Sequence, residues 1–306
     1  MARIMDFRCT YDHAAGLGEW AEKDYDISFP QAYSEREMMV KLALAVKEHN
    51  GAQMCQLPFC HTLEAEALGG AVKLGDGVTG PRAKEFVCRN IEDLRKLPKM
   101  DLDGVLSGRI CETLEACRIL KEQGMPVLFQ VSGPLTILGS LIDSEVLFRA
   151  LLKEPDVMME IFHKLGLDML RLMKKAEAAG AEYISYADPS GGVNIVGPRV
   201  AALIAREFTT GFLEKVDAEL KPETMVLLCP KTALTLIGSG QAVWKDRKLP
   251  EVMEYSKAIS YMKGKVRFSG QACINHVGHC LENRIFKELI ISGCMKCNPE
   301  NGGMGR

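Results

Sequence analysis

Two thiols close to the end of this sequence, Cys294 and Cys297 in ISGCMKCNPENGG, stand three residues apart, and a third, Cys229, ends the apolar run MVLLC. A thiolate is a nucleophile or a soft metal ligand, so such residues bear on redox, group-transfer or metal chemistry. A redox pair of the thioredoxin kind opens a helix just after a strand. Here proline and glycines follow, which speaks against that use. The stretch HVGHC places His276 and His279 three apart between Cys273 and Cys280. On a helical turn two imidazoles so spaced could face one ion, although solvent-facing rings at a helix start are the plainer interpretation. Asp188, in YADPSGG, could orient a substrate or take a proton, with Tyr186 beside it, or simply cap the turn that Asp-Pro starts. The glycine-bearing segments offer no phosphate cradle. GSGQAV (238–243) lacks the third glycine of a dinucleotide fingerprint, and KLGDGVTGP (73–81) lacks the Gly-Lys-Ser/Thr ending of a P-loop.

Positioning such residues requires elements. Short β-like runs alternate with amphipathic helices. A helix over 34–50 opens on a capping box of Ser34 and Glu37, and further helices are expected over 113–124, 154–180, 197–221, 250–264 and 280–293. Strands are expected over 52–59, 125–134, 223–231 and 266–275, with 181–192 as strand then loop and others in 240–250 and near Cys294. Such alternation demands crossover connections and a parallel sheet, either open and doubly wound or closed as a (β/α)8 TIM barrel. The polar residues favour the barrel. Cys60 and His61, Gln130 and Ser132, Tyr186 and Asp188, Cys229, and Gln271 with Cys273 to His276 all fall at the C-terminal ends of strands, and a barrel gathers those ends into one mouth. A single domain over 1–306 is expected, with 1–30 as an extension packing on the barrel.

Composition narrows the class. The 306 residues are 47% hydrophobic and 25% charged with a net charge of −2, enough to bury a large core and without the basic stripe that nucleic acid requires. No apolar block of membrane length or signal-peptide type is visible. The odd count of 11 cysteines, spread along the chain, points to a reducing cytoplasm rather than a disulfide scaffold.

Several segments together resemble one family. LPFCHTLEAEALGG (57–70), VSGPLTILGSLI (131–142), AAGAEYISYADPSGG (178–192), MVLLCP and SGCMKCNPENG resemble the uroporphyrinogen-decarboxylase-like barrels. The similarity is closer to their methylcobamide (corrinoid)-dependent methyltransferase branch. The arginine motif by which the decarboxylase grips propionates has no counterpart before Leu57. The resemblance implies an anaerobic one-carbon enzyme with a zinc site built from a His-X-Cys at a strand end and a later cysteine. Cys229 and Cys294 match the two cysteines, while the histidine position holds Leu227. A third ligand would then come from His276, His279, Asp188 or Cys297, with His276 taken here.

The implied reaction moves a methyl group between a small molecule and the cobalt of a corrinoid on a separate protein. Zinc would lower a thiol's pKa or activate a methoxy oxygen. Asp188 and Tyr186 would handle a proton, and Gln130, His61, Glu64 and Gln271 would bind the substrate, a methoxylated aromatic, a methylamine or a thiol. Aromatic residues and methionines near the mouth lean the expectation towards the demethylating O-demethylase side. The family usually continues past the PEN segment, so the N-terminal segment or a second subunit is expected to close the last layer. Two alternatives are a metal-free decarboxylase-like lyase, which needs arginines such as Arg82 or Arg199 at the mouth, and a non-catalytic ligand-binding barrel.

Overall fold

Three runs, 127–132, 183–187 and 225–228, are buried at every position, the mark of strands covered on both faces. In the computed structural model these are the central strands of a sheet flanked by helices. The structure describes residues 4–9, 17–102, 108–276 and 278–292. Cys294 and Cys297 therefore lie outside the described residues.

The strands are β1 (Cys55–Leu57), β2 (Ala71–Lys73), β3 (Arg82–Glu85), β4 (Val127–Ser132), β5 (Tyr183–Ala187), β6 (Met225–Leu228), β7 (Ala242–Lys248), β8 (Phe268–Ser269) and β9 (Ile285–Ile291). Helices in the first half are α1 (Trp20–Tyr25), α2 (Arg36–His49), α3 (Leu63–Ala67), α4 (Ile91–Arg95), α5 (Arg109–Glu122) and α6 (Pro134–Gly139). Those in the second half are α7 (Ser144–Lys153), α8 (Pro155–Ala178), α9 (Val193–Ile204), α10 (Thr210–Glu219), α11 (Pro230–Gly238) and α12 (Tyr255–Met262). The main sheet runs β1-β4-β5-β6-β8-β9-β7. Its first five members are parallel, and β9 is antiparallel to both β8 and β7. This is the expected α/β architecture of parallel strands joined by helical crossovers.

Side-chain parity divides the strands into two faces. Leu128, Tyr183, Met225 and Leu227 share one apolar cluster with Met54. Val127, Phe129, Ile184, Tyr186 and Val226 belong to the larger cluster beneath the helices. Phe162 of α8, fully buried there, meets Phe208 edge-on at 5.7 Å. Phe162→Ala is expected to cost about 3–5 kcal/mol, read as a lower urea midpoint.

Two expectations are corrected. The stretch 280–293 is not a helix. Its core is β9, which pairs with β7 over seven residues, after Arg284 turns the chain at a φ of 54°. Its apolar residues fit either period, and the long pairing overrides local propensity. The capping box also fails to form. Glu35 is the N-cap of α2, and Ser34 bonds Pro30 O instead. The Glu112 carboxylate, from α5, accepts from Arg36 N at 3.1 Å and pairs with its guanidinium, so a tertiary partner caps the helix. The helix expected from residue 197 restarts at Pro198, after a kink at Gly197 where φ is 77°. The strand expected in 240–250 is β7.

Candidate functional site

The inward parity continues past the strand ends and selects the mouth residues. Gln130 on β4, Ser185 and Ala187 on β5, and Cys229 after β6 line one small cavity of about 30 Å³. Cys273, from the loop after β8, lines it too, and so do Phe7 and Cys9 of the N-terminal segment. Cys229 is the N-cap of α11, where Pro230 occupies the first turn. Burial pushes its thiol up to about 12, with the neighbouring Cys273 and Cys9 adding to the rise and the N–H groups of Lys231 and Thr232 opposing it. Burial also raises the Cys273 thiol. Cys9 and Cys273 were missed as partners of Cys229 because sequence spacing carries no signal for a meeting of segments so far apart.

A second cavity of about 140 Å³ adjoins the first, sharing Gln130, Ile274 and Asn275. Phe59, Cys60, His61, Met54 and Gln56 form its other wall. His61 Nδ1 lies 3.3 Å from Ser132 Oγ and 3.4 Å from Gln130 Nε2. Gln130 also donates to Cys60 O at 3.4 Å. Glu64, opening α3, is buried, and its Oε1 accepts from Ser132 N at 2.7 Å. Three of the expected substrate-binding residues, His61, Gln130 and Glu64, are thus brought into one network.

Burial raises the Glu64 pKa above the ordinary 4.5, against the Ser132 N–H and the charge of Arg109. Such a group holds its proton more tightly folded than unfolded. The stability this gives is complete below 4.5 and is lost as pH rises through the folded value. Glu64→Gln keeps the neutral shape and removes that loss. Its Tm advantage over the wild type is expected to widen from about pH 4 to about pH 8 in thermal melts.

Other expected site residues lie elsewhere. Tyr186 faces the helices, its ring 5.5 Å from Phe212, and burial raises its hydroxyl well above the ordinary value. Asp188 is buried and caps α6 from across the sheet. Its carboxylate accepts from Leu135 N at 3.3 Å, Thr136 N at 2.9 Å and Thr136 Oγ1 at 2.7 Å. Burial raises its pKa, opposed by those same bonds. The Gln271 amide bonds the main chain of β9 at Lys287 N and Ile285 O. His276 is exposed, stacks on His279 at 5.5 Å and lines a third cavity of about 320 Å³ beside Met54 and Tyr255. It does not line the cavity of Cys229.

Zinc, implied by the resemblance, prefers thiolate and imidazole donors in a tetrahedral cage. Thiols of Cys9, Cys229 and Cys273 on one cavity have the right donor chemistry. Among the described residues, however, no three His, Cys, Asp or Glu side chains are grouped closely enough to hold an ion. Leu227, at the histidine position of the resemblance, belongs to the inner apolar cluster. The donor chemistry fits, and the ligand set is incomplete among the described residues.

Comparison with known proteins places these observations. Residues 16–246 match the family model described as uroporphyrinogen decarboxylase (URO-D). The methylcobamide:CoM methyltransferase MtaA of Methanosarcina barkeri is 26% identical over 239 residues, 76% of this chain and 68% of that protein. The methylcobamide:CoM methyltransferase MtbA of Methanosarcina mazei is 28% identical over 207 residues, 67% of this chain and 60% of that protein. A solved methyltransferase from Methanosarcina mazei superposes with a TM-score of 0.61 at 23% identity, over 74% of this chain and 68% of that one, which establishes the shared fold.

Proposed function

The chain belongs to the uroporphyrinogen decarboxylase (URO-D) family, and from that premise we propose that it is a corrinoid-dependent methyltransferase, moving a methyl group between a small molecule and the cobalt of a corrinoid held by a separate protein. The observation that carries this reading is the convergence of thiols on the Cys229 cavity in a chain similar, over two thirds or more of its length, to methylcobamide:CoM methyltransferases. The names of those relatives, methylcobamide:CoM methyltransferases, favour coenzyme M, a thiol, as the small-molecule partner. A demethylating direction is the second reading, favoured by Phe59 and Met54 on the wall beside His61.

Cys229 and Cys294 hold zinc in this proposal, with Cys273 or His276 as further donors. The metal, when bound, supplies Lewis acidity that keeps a thiol ionised at neutral pH. The chain's own groups do the rest. N–H groups of Lys231 and Thr232, at the start of α11, favour negative charge on the Cys229 sulfur. Gln130, shared by the two cavities, and the His61–Ser132 pair orient the substrate. Glu64, whose pKa burial raises, holds the Ser132 main chain in place beside them. Asp188 acts as a positioning residue, fixing α6 and with it the Ser132–Gly133 turn, while Tyr186 packs the wall behind. The N-terminal segment covers the mouth of a single domain, as Phe7 and Cys9 do at the Cys229 cavity.

The test is methyl transfer by zinc-loaded protein. With methylcobalamin and coenzyme M, loss of the methyl-cobalt absorption and formation of the thioether are expected. Zinc-loaded protein that transfers no methyl group with thiols, methylamines or methoxylated aromatics, in either direction, overturns the proposal.

A further inference from the structure

Residues 4–9 run from the end of α11 to the Cys229 cavity without forming a helix or strand. Ile4, Phe7 and Cys9 are partly buried, while Met5, Asp6 and Arg8 are exposed. Among the described residues no hydrogen bond or ion pair holds residues 4–8, so the packing of Ile4 and Phe7 is what keeps them in place. A segment secured by so few contacts opens at low free energy.

The two anchors differ. Phe7, with Cys9, lines the Cys229 cavity. Ile4 sits in the space left by the absent side chain of Gly238. A Cβ built there would lie 2.6 Å from Ile4 Cα, 2.9 Å from its Cγ1 and 3.1 Å from its Cβ. The cavity beneath Phe7 measures about 30 Å³. That is the room of a water or two, well short of the roughly 300–1,000 Å³ of small-molecule sites. On its other sides β4, β5 and β6 are fixed by parallel ladders. A guest beside the Cys229 sulfur therefore needs the N-terminal run to move.

We propose that residues 4–9 are a displaceable strap, shut in this structure, which closes off the Cys229 thiol and is latched by the seating of Ile4 on Gly238. Guest and strap exclude each other at the cavity. The apparent affinity for any guest there is reduced by the fraction of molecules in which the strap is open, and loosening the latch restores it. The occlusion of Cys229 stands by itself; that the strap guards a methyl-transfer site rests on the reading above.

The experiment follows alkylation of the metal-free full chain by N-ethylmaleimide, mapped by peptide mass spectrometry. Cys117 is the internal reference, buried on α5 with a thiol that, like that of Cys229, burial pushes up to about 12. Gly238→Ala puts a good helix former into α11 and displaces Ile4, and Phe7→Ala removes the cover over the cavity. Each is expected to speed alkylation of Cys229 at least about fivefold, the lower end of an overpacking or truncation effect, and to leave Cys117 unchanged. Cys229 rates equal to wild type in both variants, or raised only in step with Cys117, overturn the proposal. If one variant fails to fold, the other decides. With zinc-loaded protein and coenzyme M, Gly238→Ala is further expected to lower the KM for methylcobalamin several-fold with kcat little changed. Faster alkylation of Cys229 with no methyl transfer in either protein supports the strap and overturns the methyl-transfer reading.

Discussion

Replacing Cys229 by serine is expected to lower both the zinc affinity of the protein and its methyl-transfer rate by at least about a hundredfold, since even residues that merely support a metal ligand cost 10–100-fold when changed. A hydroxyl does not ionise where a thiol does, and it is a poor donor to a soft site. Burial sharpens the contrast. With its thiol pushed up to about 12, Cys229 stays protonated at neutral pH unless a cation draws the proton off. Metal-free wild type is therefore expected to react with iodoacetamide at Cys229 slowly, and about tenfold faster for each pH unit gained below that value. Zinc uptake at neutral pH should release protons, measurable with an indicator dye. Metal analysis of wild type and variant is the direct check. Equal zinc content in the two, with methyl transfer intact, would remove Cys229 from the site.

Gly133→Ala carries the second large effect, this time on stability. A methyl group placed there would lie 2.3 Å from Asp188 Cβ and 2.5 Å from its Cγ. The glycine's φ of −80° is ordinary, so the obstacle is space alone. To admit the methyl group the Asp188 carboxylate must withdraw from α6, leaving Leu135 N, Thr136 N and Thr136 Oγ1 without their acceptor in a buried place. Overpacking and the orphaned donors together are expected to cost about 3–5 kcal/mol, read from urea midpoints. Asp188→Asn, which keeps one accepting oxygen and the same shape, is expected to cost less, about 1–3 kcal/mol. A wild-type midpoint for Gly133→Ala would show that the helix does not depend on this carboxylate.

The framework was legible because the three central strands are largely apolar runs and their helices carry clear periodicity. MVLLCP could be read as a strand delivering Cys229 to a mouth, and it does so. Legibility failed where tertiary partners decide. The residues of β9 satisfy either period, and only pairing with β7 chooses. Asp188 and Cys229 both follow strand ends, but a single residue of parity sends one carboxylate towards α6 and keeps the thiol facing inward. Arg109 meets Cys60 across 49 positions, and Cys9 meets Cys229 across far more, distances over which no local pattern operates.

Strand β1 takes a ladder neighbour on its β4 side alone among the described residues. Beyond its other side, towards Ile274 and His279, lie the two larger cavities around the mouth rather than main-chain hydrogen bonds. Among the described residues, spreading the wall beside Met54 and Gln56 breaks no backbone ladder, and an unpaired strand side opens at lower cost than a paired one. A broad, flat guest arriving on a carrier would find its clearance along that line.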